Sequence, residues 1–220
     1  MTALRSFTAA PLLLALAACA STSSPPALPA AQEAFWDALS SHCGNAYAGG
    51  LVSSDERDAD WAGKRMVAHW AECSEGEIAI AFHVEDAEEP GGWNRSRTWL
   101  VRRGLLVGPQ TPRPYLSLHH DHRHDEGVAD AVTFYGGQTS TAGTARLQDF
   151  PVDAFSIALF EREGLDLSLT NVWRMEVDPA GEPGARFAYQ LTRRNDPARL
   201  FRVEMDAAQP IAPPPPAWGW

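Results

Sequence analysis

Ile78, Ile80, Phe82 and Val84 alternate with Glu77, Ala79, Ala81, His83 and Glu85, and this period of two constrains the fold more than any other feature of the chain. Side chains two apart share one face of a strand, so each such run buries one face and favours antiparallel pairing. The pattern returns at Trp173, Met175 and Val177, at Phe187, Tyr189 and Leu191, and at Phe201, Val203 and Met205. With weaker runs near 46–54, 64–73, 95–103, 113–124, 128–136 and 142–149, the chain holds about ten strands. Helical spacing is confined to Ala30–Leu39, with Phe35 and Leu39 on one face, and to Val152–Glu163, with Phe155 and Leu159. The fold class is therefore mainly β, a single antiparallel meander forming a barrel or a strongly curved sandwich, with a short N-terminal helix and one internal helix.

Two turns set register. Ser74-Glu75-Gly76 and Asp125-Glu126-Gly127 are three-residue loops ending in glycine, the pattern of a type I turn followed by a left-handed residue. The first pairs Trp70 with Ile80 and Ala68 with Phe82. The second pairs Leu118 with Phe134, His120 with Val132 and His122 with Asp130. A slip of one residue would turn every large apolar side chain to the wrong face. Gly136-Gly137 reads as a turn or bulge at a strand end. In layout this arrangement resembles calycin-type, lipocalin-like barrels, although Cys43-Gly44-Asn45-Ala46-Tyr47 stands where that class carries a Gly-x-Trp signature.

At the N-terminus, Arg5 and a short apolar run, Ala9-Ala10-Pro11-Leu12-Leu13-Leu14-Ala15, precede Leu16-Ala17-Ala18-Cys19. The run is too short to span a bilayer, which needs ~20 residues. The order basic, apolar, small, cysteine resembles the lipobox of bacterial lipoproteins. That resemblance implies that residues 1–18 are a signal peptide cut before Cys19, whose thiol and new amine carry lipid and anchor the chain to a membrane. Residue 20 is alanine, not the aspartate that retains such proteins in the inner membrane, so the resemblance implies an outer-membrane lipoprotein facing the periplasm. With Cys19 assigned to lipid, Cys43 and Cys73 remain as a pair, and an oxidising compartment favours a disulfide between them. The rival, a thiolate metal site or a catalytic thiol, lacks a Cys-x-x-Cys partner.

Residues 19–29 read as a tether rich in small residues and proline, 30–208 as the β domain, and 209–220 as a Pro/Trp-rich tail. In that tail Trp218 and Trp220 either dock on the body or engage an envelope protein. Eighteen basic against 28 acidic residues give a net charge of −10, which argues against nucleic-acid binding.

Four of the seven histidines lie within residues 119–125. On a strand, His120, His122 and His124 share a face at steps of ~7 Å, wide for three ligands on one zinc, which wants nitrogen at ~2.0–2.1 Å. Two of them with Asp130 across the hairpin make a candidate site for a divalent metal. A polar strand end, with histidines pairing to carboxylates, is the plainer alternative. His69 and His83 fall together on a face of small residues, which is either a lumen or an outer face covered by a loop. Arg95, Arg97 and Trp99 share a side of one strand and suit a carboxylate or phosphate beside an aromatic wall, with an arginine ladder neutralising nearby Asp86, Glu88 and Glu89 as the plainer alternative. Neither Gly-x-Ser-x-Gly nor Ser-x-x-Lys is present, and a His122–Asp130 dyad is the one arrangement open to acid–base catalysis. The expectation is a binding module rather than an enzyme. Its interior, lined by Trp70, Phe82, Arg97, Trp99, Phe134, Trp173 and Tyr189, would hold a small apolar or amphipathic ligand. A metal-binding protein using His120, His122, His124 and Asp130, or an envelope scaffold, are the alternatives.

Overall fold

A computed structural model describes residues 27–108, 112–124 and 127–220. Cys19, the expected signal peptide (residues 1–18), most of the expected tether, and Asp125 and Glu126 of the second turn lie outside the described residues. Helix α1 (Ala30–Ser40) leads into β1 (Ala46–Leu51), β2 (Met66–Cys73), β3 (Glu77–Glu85), β4 (Trp93–Leu106), β5 (Arg113–His122), β6 (Tyr135–Gln138) and β7 (Leu147–Pro151). Helix α2 (Ala154–Arg162) then precedes β8 (Asn171–Val177), β9 (Arg186–Arg193) and β10 (Asp196–Ile211). The ten strands form one antiparallel sheet in the order β6-β5-β4-β3-β2-β1-β10-β9-β8-β7. Every neighbour is also a neighbour in sequence except β1 and β10, whose pairing rolls the meander into a nearly closed barrel. The remaining seam, between β6 and β7, is bridged at Gly137 and Val152.

The first hairpin has the expected register, with Trp70 opposite Ile80 and Ala68 opposite Phe82. Those side chains, with Ile78, Val101, Phe187 and Val203, point inward and form the core. The second hairpin departs from expectation. Arg123 faces Ala129, in line with the predicted register, but Leu118 then faces Gly137 and His120 faces Tyr135. Three extra residues have looped out after Asp130. The cause is local: Thr133 Oγ1 accepts from the His122 amide (2.8 Å), the Phe134 amide donates to the His120 carbonyl (2.7 Å), and Phe134 takes a left-handed φ of 56°. Gly136 and Gly137 accordingly lie inside β6 and are not a turn. A Cβ at either would come within 1.9 Å of the Leu118 carbonyl oxygen or 2.1 Å of that of Pro151, so only glycine lets the seam close.

Helix α1 closes one end of the barrel. Phe35 and Leu39 are fully buried, as their spacing predicts. Gln32 donates to Thr139 Oγ1 (3.0 Å) and to the Thr141 carbonyl (2.9 Å). Arg103 pairs with Glu33 and lies 4.6 Å over the Trp36 ring. Next to the helix, His42 donates through Nε2 to the Asp178 carbonyl (2.7 Å), which leaves Nδ1 to accept from the Tyr47 hydroxyl (2.9 Å). In α2, Leu159 and Phe160 are buried while Phe155 is 60% exposed, so the buried face of that helix is turned relative to the Phe155/Leu159 expectation.

Cys43 and Cys73 form the expected disulfide, which ties the end of α1 to the end of β2. By loop-closure entropy it contributes ~3–4 kcal/mol. The double variant Cys43→Ser/Cys73→Ser is expected to lower the urea midpoint by that equivalent.

The Pro/Trp tail docks on the outside of β3–β5. His83 Nε2 lies 2.9 Å from the Pro215 carbonyl, which can only accept, so this nitrogen carries the proton. Arg95 donates to the Pro216 carbonyl (2.9 Å) and stacks over Trp218, whose amide returns a bond to the Arg95 carbonyl (3.1 Å). Trp220 Nε1 donates to Asp121 (3.1 Å). The His69/His83 face is thus an outer surface covered by the tail. Arg95 reaches that surface because β4 carries a bulge: Phe82 faces Arg97 but Val84 faces Asn94, and the extra residue turns Arg95 away from Arg97 and Trp99. A chain ending at Ala212 is expected to lose about 1–2 kcal/mol and amide-exchange protection along β3 and β4. Unchanged protection there would make the tail a bystander.

Candidate functional site

The barrel end opposite α1 stays open and holds a cavity of about 300 Å³. Its floor is a column of rings from three strands. Phe82 of β3 stacks on Trp99 of β4 (4.5 Å, 19°), and Trp99 stacks on Tyr189 of β9 (4.3 Å, 11°). The alternation that defines each strand points all three inward, and the first hairpin's register levels Phe82 with its neighbours. At the rim, Trp61 continues the column, its ring 12° from that of Phe82 with centroids 6.3 Å apart. Phe201 of β10 meets Trp61 and Tyr189 edge-on.

Trp61 ends a 3₁₀ segment, Glu56–Trp61, that folds across the mouth. Asp55 caps this segment through the Arg57 amide (3.1 Å). Buried Asp58 takes both Nη atoms of Arg199, one at 2.8 Å, and Arg199 Nη1 also reaches Asp55 at 3.0 Å. A fully stranded buried charge costs about 3–5 kcal/mol, and removing the Asp58 charge, which leaves Arg199 only its contact to Asp55, costs part of that. Asp58→Asn is therefore expected to release the Trp61 segment, seen as a solvent-shifted tryptophan emission.

The polar wall comes from β4, β5 and β6. His120 is fully buried, and burial pushes its pKa down to about 3. Its Nδ1 faces the Tyr135 carbonyl (3.0 Å) and must donate, so Nε2 accepts from the Tyr189 hydroxyl (2.7 Å). Burial and the Arg97 charge hold His122 down to about 4. Its Nδ1 lies 3.8 Å from the Asp130 carboxylate, beyond hydrogen-bonding distance, and its Nε2 shares a hydrogen bond with the Tyr135 hydroxyl (3.1 Å), whose direction follows the ring tautomer. Burial raises both phenols, Tyr135 to about 12, so each stays protonated, and Tyr189 directs its proton to His120. Arg97 sits 4.9 Å over the Trp61 ring and donates to Ser96 Oγ (3.0 Å) and Asn94 Oδ1 (3.4 Å).

Of the residues named from sequence, Phe82, Arg97, Trp99 and Tyr189 line this cavity together. Trp173 lines an adjoining cavity at the β6–β8 side, of about 380 Å³, which shares His122, Tyr135, Tyr189 and Leu191 with the first. Trp70 lies deeper, against Phe187 and Tyr47 toward the closed end, and Phe134 sits half-buried in the bulge, lining neither cavity. His120 and His122 share the cavity wall with each other but not with His124, whose side chain is 64% exposed and lies 3.0 Å from Asp130. Both ring nitrogens of His120 are taken by protein partners. Among the described residues, no three His, Cys, Asp or Glu side chains converge as metal ligands.

Trp61 and Asp58 were beyond sequence reasoning, because residues 55–63 show no alternation, whereas Arg199 stands in phase with Val203 and Met205. Phe201 was within reach, being in phase with Val203 and Met205. No family profile, curated protein or solved structure matches the chain.

Proposed function

We propose that this chain is a lipid-anchored, periplasm-facing binding protein that holds a small apolar or amphipathic ligand in the open mouth of its barrel. One observation carries the reading: the only barrel end that α1 does not plug ends in a cavity walled by stacked aromatic rings, with a few polar groups fixed at one side. Concave, mostly apolar sites with sparse oriented polar groups are where small molecules bind. The lipobox order around Cys19 supports the location.

Two measurements test it. Chain purified from cell envelopes in mild detergent is expected to release a small molecule on denaturation, detected by mass spectrometry, and to carry little of it as Phe82→Arg. Cys19→Ser is expected to abolish labelling by radioactive palmitate. A chain that carries nothing and binds no apolar probe would end the binding reading.

A further inference from the structure

We infer that the ligand is an aromatic monocarboxylate, its acid group on Arg97 and its ring against the Trp61–Phe82–Trp99 column; this rests on the binding reading above. Charge accounting selects the anion. Three formally charged side chains line the mouth: Asp58, Arg97 and Arg199. Asp58 and Arg199 neutralise each other through two contacts, and both are buried. His120 and His122 are neutral at periplasmic pH because burial disfavours their charged forms. Arg97 has no ion pair among the described residues, and its hydrogen bonds go to the neutral Ser96 and Asn94. A chain of net charge −10 thus leaves a guanidinium without an ion pair inside an aromatic cluster, the Asp130 charge reaching it only through space.

Hydrogen-bond directions select carboxylate over phosphate. The Tyr189 proton goes to His120, whose other nitrogen is held by the Tyr135 carbonyl, so the Tyr189 oxygen offers only lone pairs to the cavity. A phosphate dianion needs donors on three oxygens and would meet the Tyr189 acceptor beside a single guanidinium. A carboxylate needs one planar fork of N–H groups, which Arg97 supplies. The stack over Trp61 fixes that fork in place.

Ring orientation selects the body. Trp99 is held 19° from the plane of Phe82 and 11° from that of Tyr189 by the barrel, so the three present a fixed set of ring edges and faces. A flat aromatic body can meet them in edge-to-face or offset geometry, contacts that an alkyl chain lacks. A volume of about 300 Å³ holds one bicyclic ring with its acid.

The experiment uses the full chain in detergent, with calorimetric titration of three probes against detergent-matched blanks: 2-naphthoate, 2-naphthylmethanol and 2-naphthyl phosphate. Naphthoate is expected to bind at least tenfold more tightly than the alcohol, and more tightly than the phosphate. Arg97→Met is expected to bring naphthoate to the level of the alcohol, while Arg97→Lys retains part of the difference. Equal binding of naphthoate and alcohol, or tighter binding of the phosphate, overturns the carboxylate assignment and leaves the binding reading standing. Binding of none of the three brings down both. The probe comparison in the unaltered chain decides the matter even where a variant misfolds.

Discussion

Trp99→Ala is expected to destabilise the chain by about 3–5 kcal/mol, the range for removing a large aromatic from a packed core. Trp99 is 1% exposed, with Phe82 on one face and Tyr189 on the other, and its strand pairs it with Ile80 on one side and His120 on the other. Those neighbours sit on three different strands of a nearly closed barrel, so they have little freedom to collapse into the vacated volume. The loss is read as a lower urea midpoint with an unchanged slope, since the surface exposed on unfolding hardly alters. Trp99→Phe keeps a ring in the column and is expected to recover more than half of the loss. Because Trp99 is also the floor of the mouth, its alanine variant is expected to lose aromatic-probe binding at urea concentrations well below its own midpoint. Trp61→Ala, at the rim, is expected to weaken binding while leaving stability within about 1 kcal/mol. Equal stability losses at the two positions would mean that the column is not anchored at its centre.

That contrast between floor and rim tracks what could be read from the residues alone. Phe82, Trp99 and Tyr189 were legible because each belongs to a run with a period of two, and because one glycine-ended turn fixed Phe82 in register. Trp61 was not, since a 3₁₀ segment held by Asp58 and Arg199 has no period, and its partner lies some 140 positions away in the chain. The second hairpin shows where local rules fail. Arg123 and Ala129 met as the turn required, but Thr133 and the left-handed Phe134 then took up three residues, and the faces beyond were set by Gly136 fitting against Leu118. Arg95 was misplaced for the same kind of reason, since a single bulge reverses the side to which a residue points. The histidines on β5 were correctly placed on one face as far as His122, where the strand ends. Their chemistry was not legible. It depends on Tyr189, 69 positions after His120, and on Tyr135, which together commit the ring nitrogens.

Those committed nitrogens make acid the condition that most threatens the fold. Lowering pH from 7 to 4.5 is expected to cost several kcal/mol of stability, because burial pushes His120 down to about 3 and His83 and His122 to about 4. In the unfolded chain each titrates near 6.5. Below that value the unfolded state binds protons that the folded state refuses, so stability is present above pH 6.5 and falls as pH drops toward 4. Each such histidine adds a slope of about 1.4 kcal/mol per pH unit. The carboxylates held low by arginines, Glu33 and Glu176 among them, titrate below their ordinary range and add their loss at lower pH. Urea unfolding at half-unit steps from pH 7.5 to 4.5 gives the slope, hence the number of protons taken up on unfolding. His83→Gln, whose amide can still donate to the Pro215 carbonyl, is expected to reduce that uptake by about one proton. A stability that stays flat between pH 6.5 and 5 would show that these imidazoles are hydrated in solution, and with them the tyrosine–histidine wall of the binding mouth.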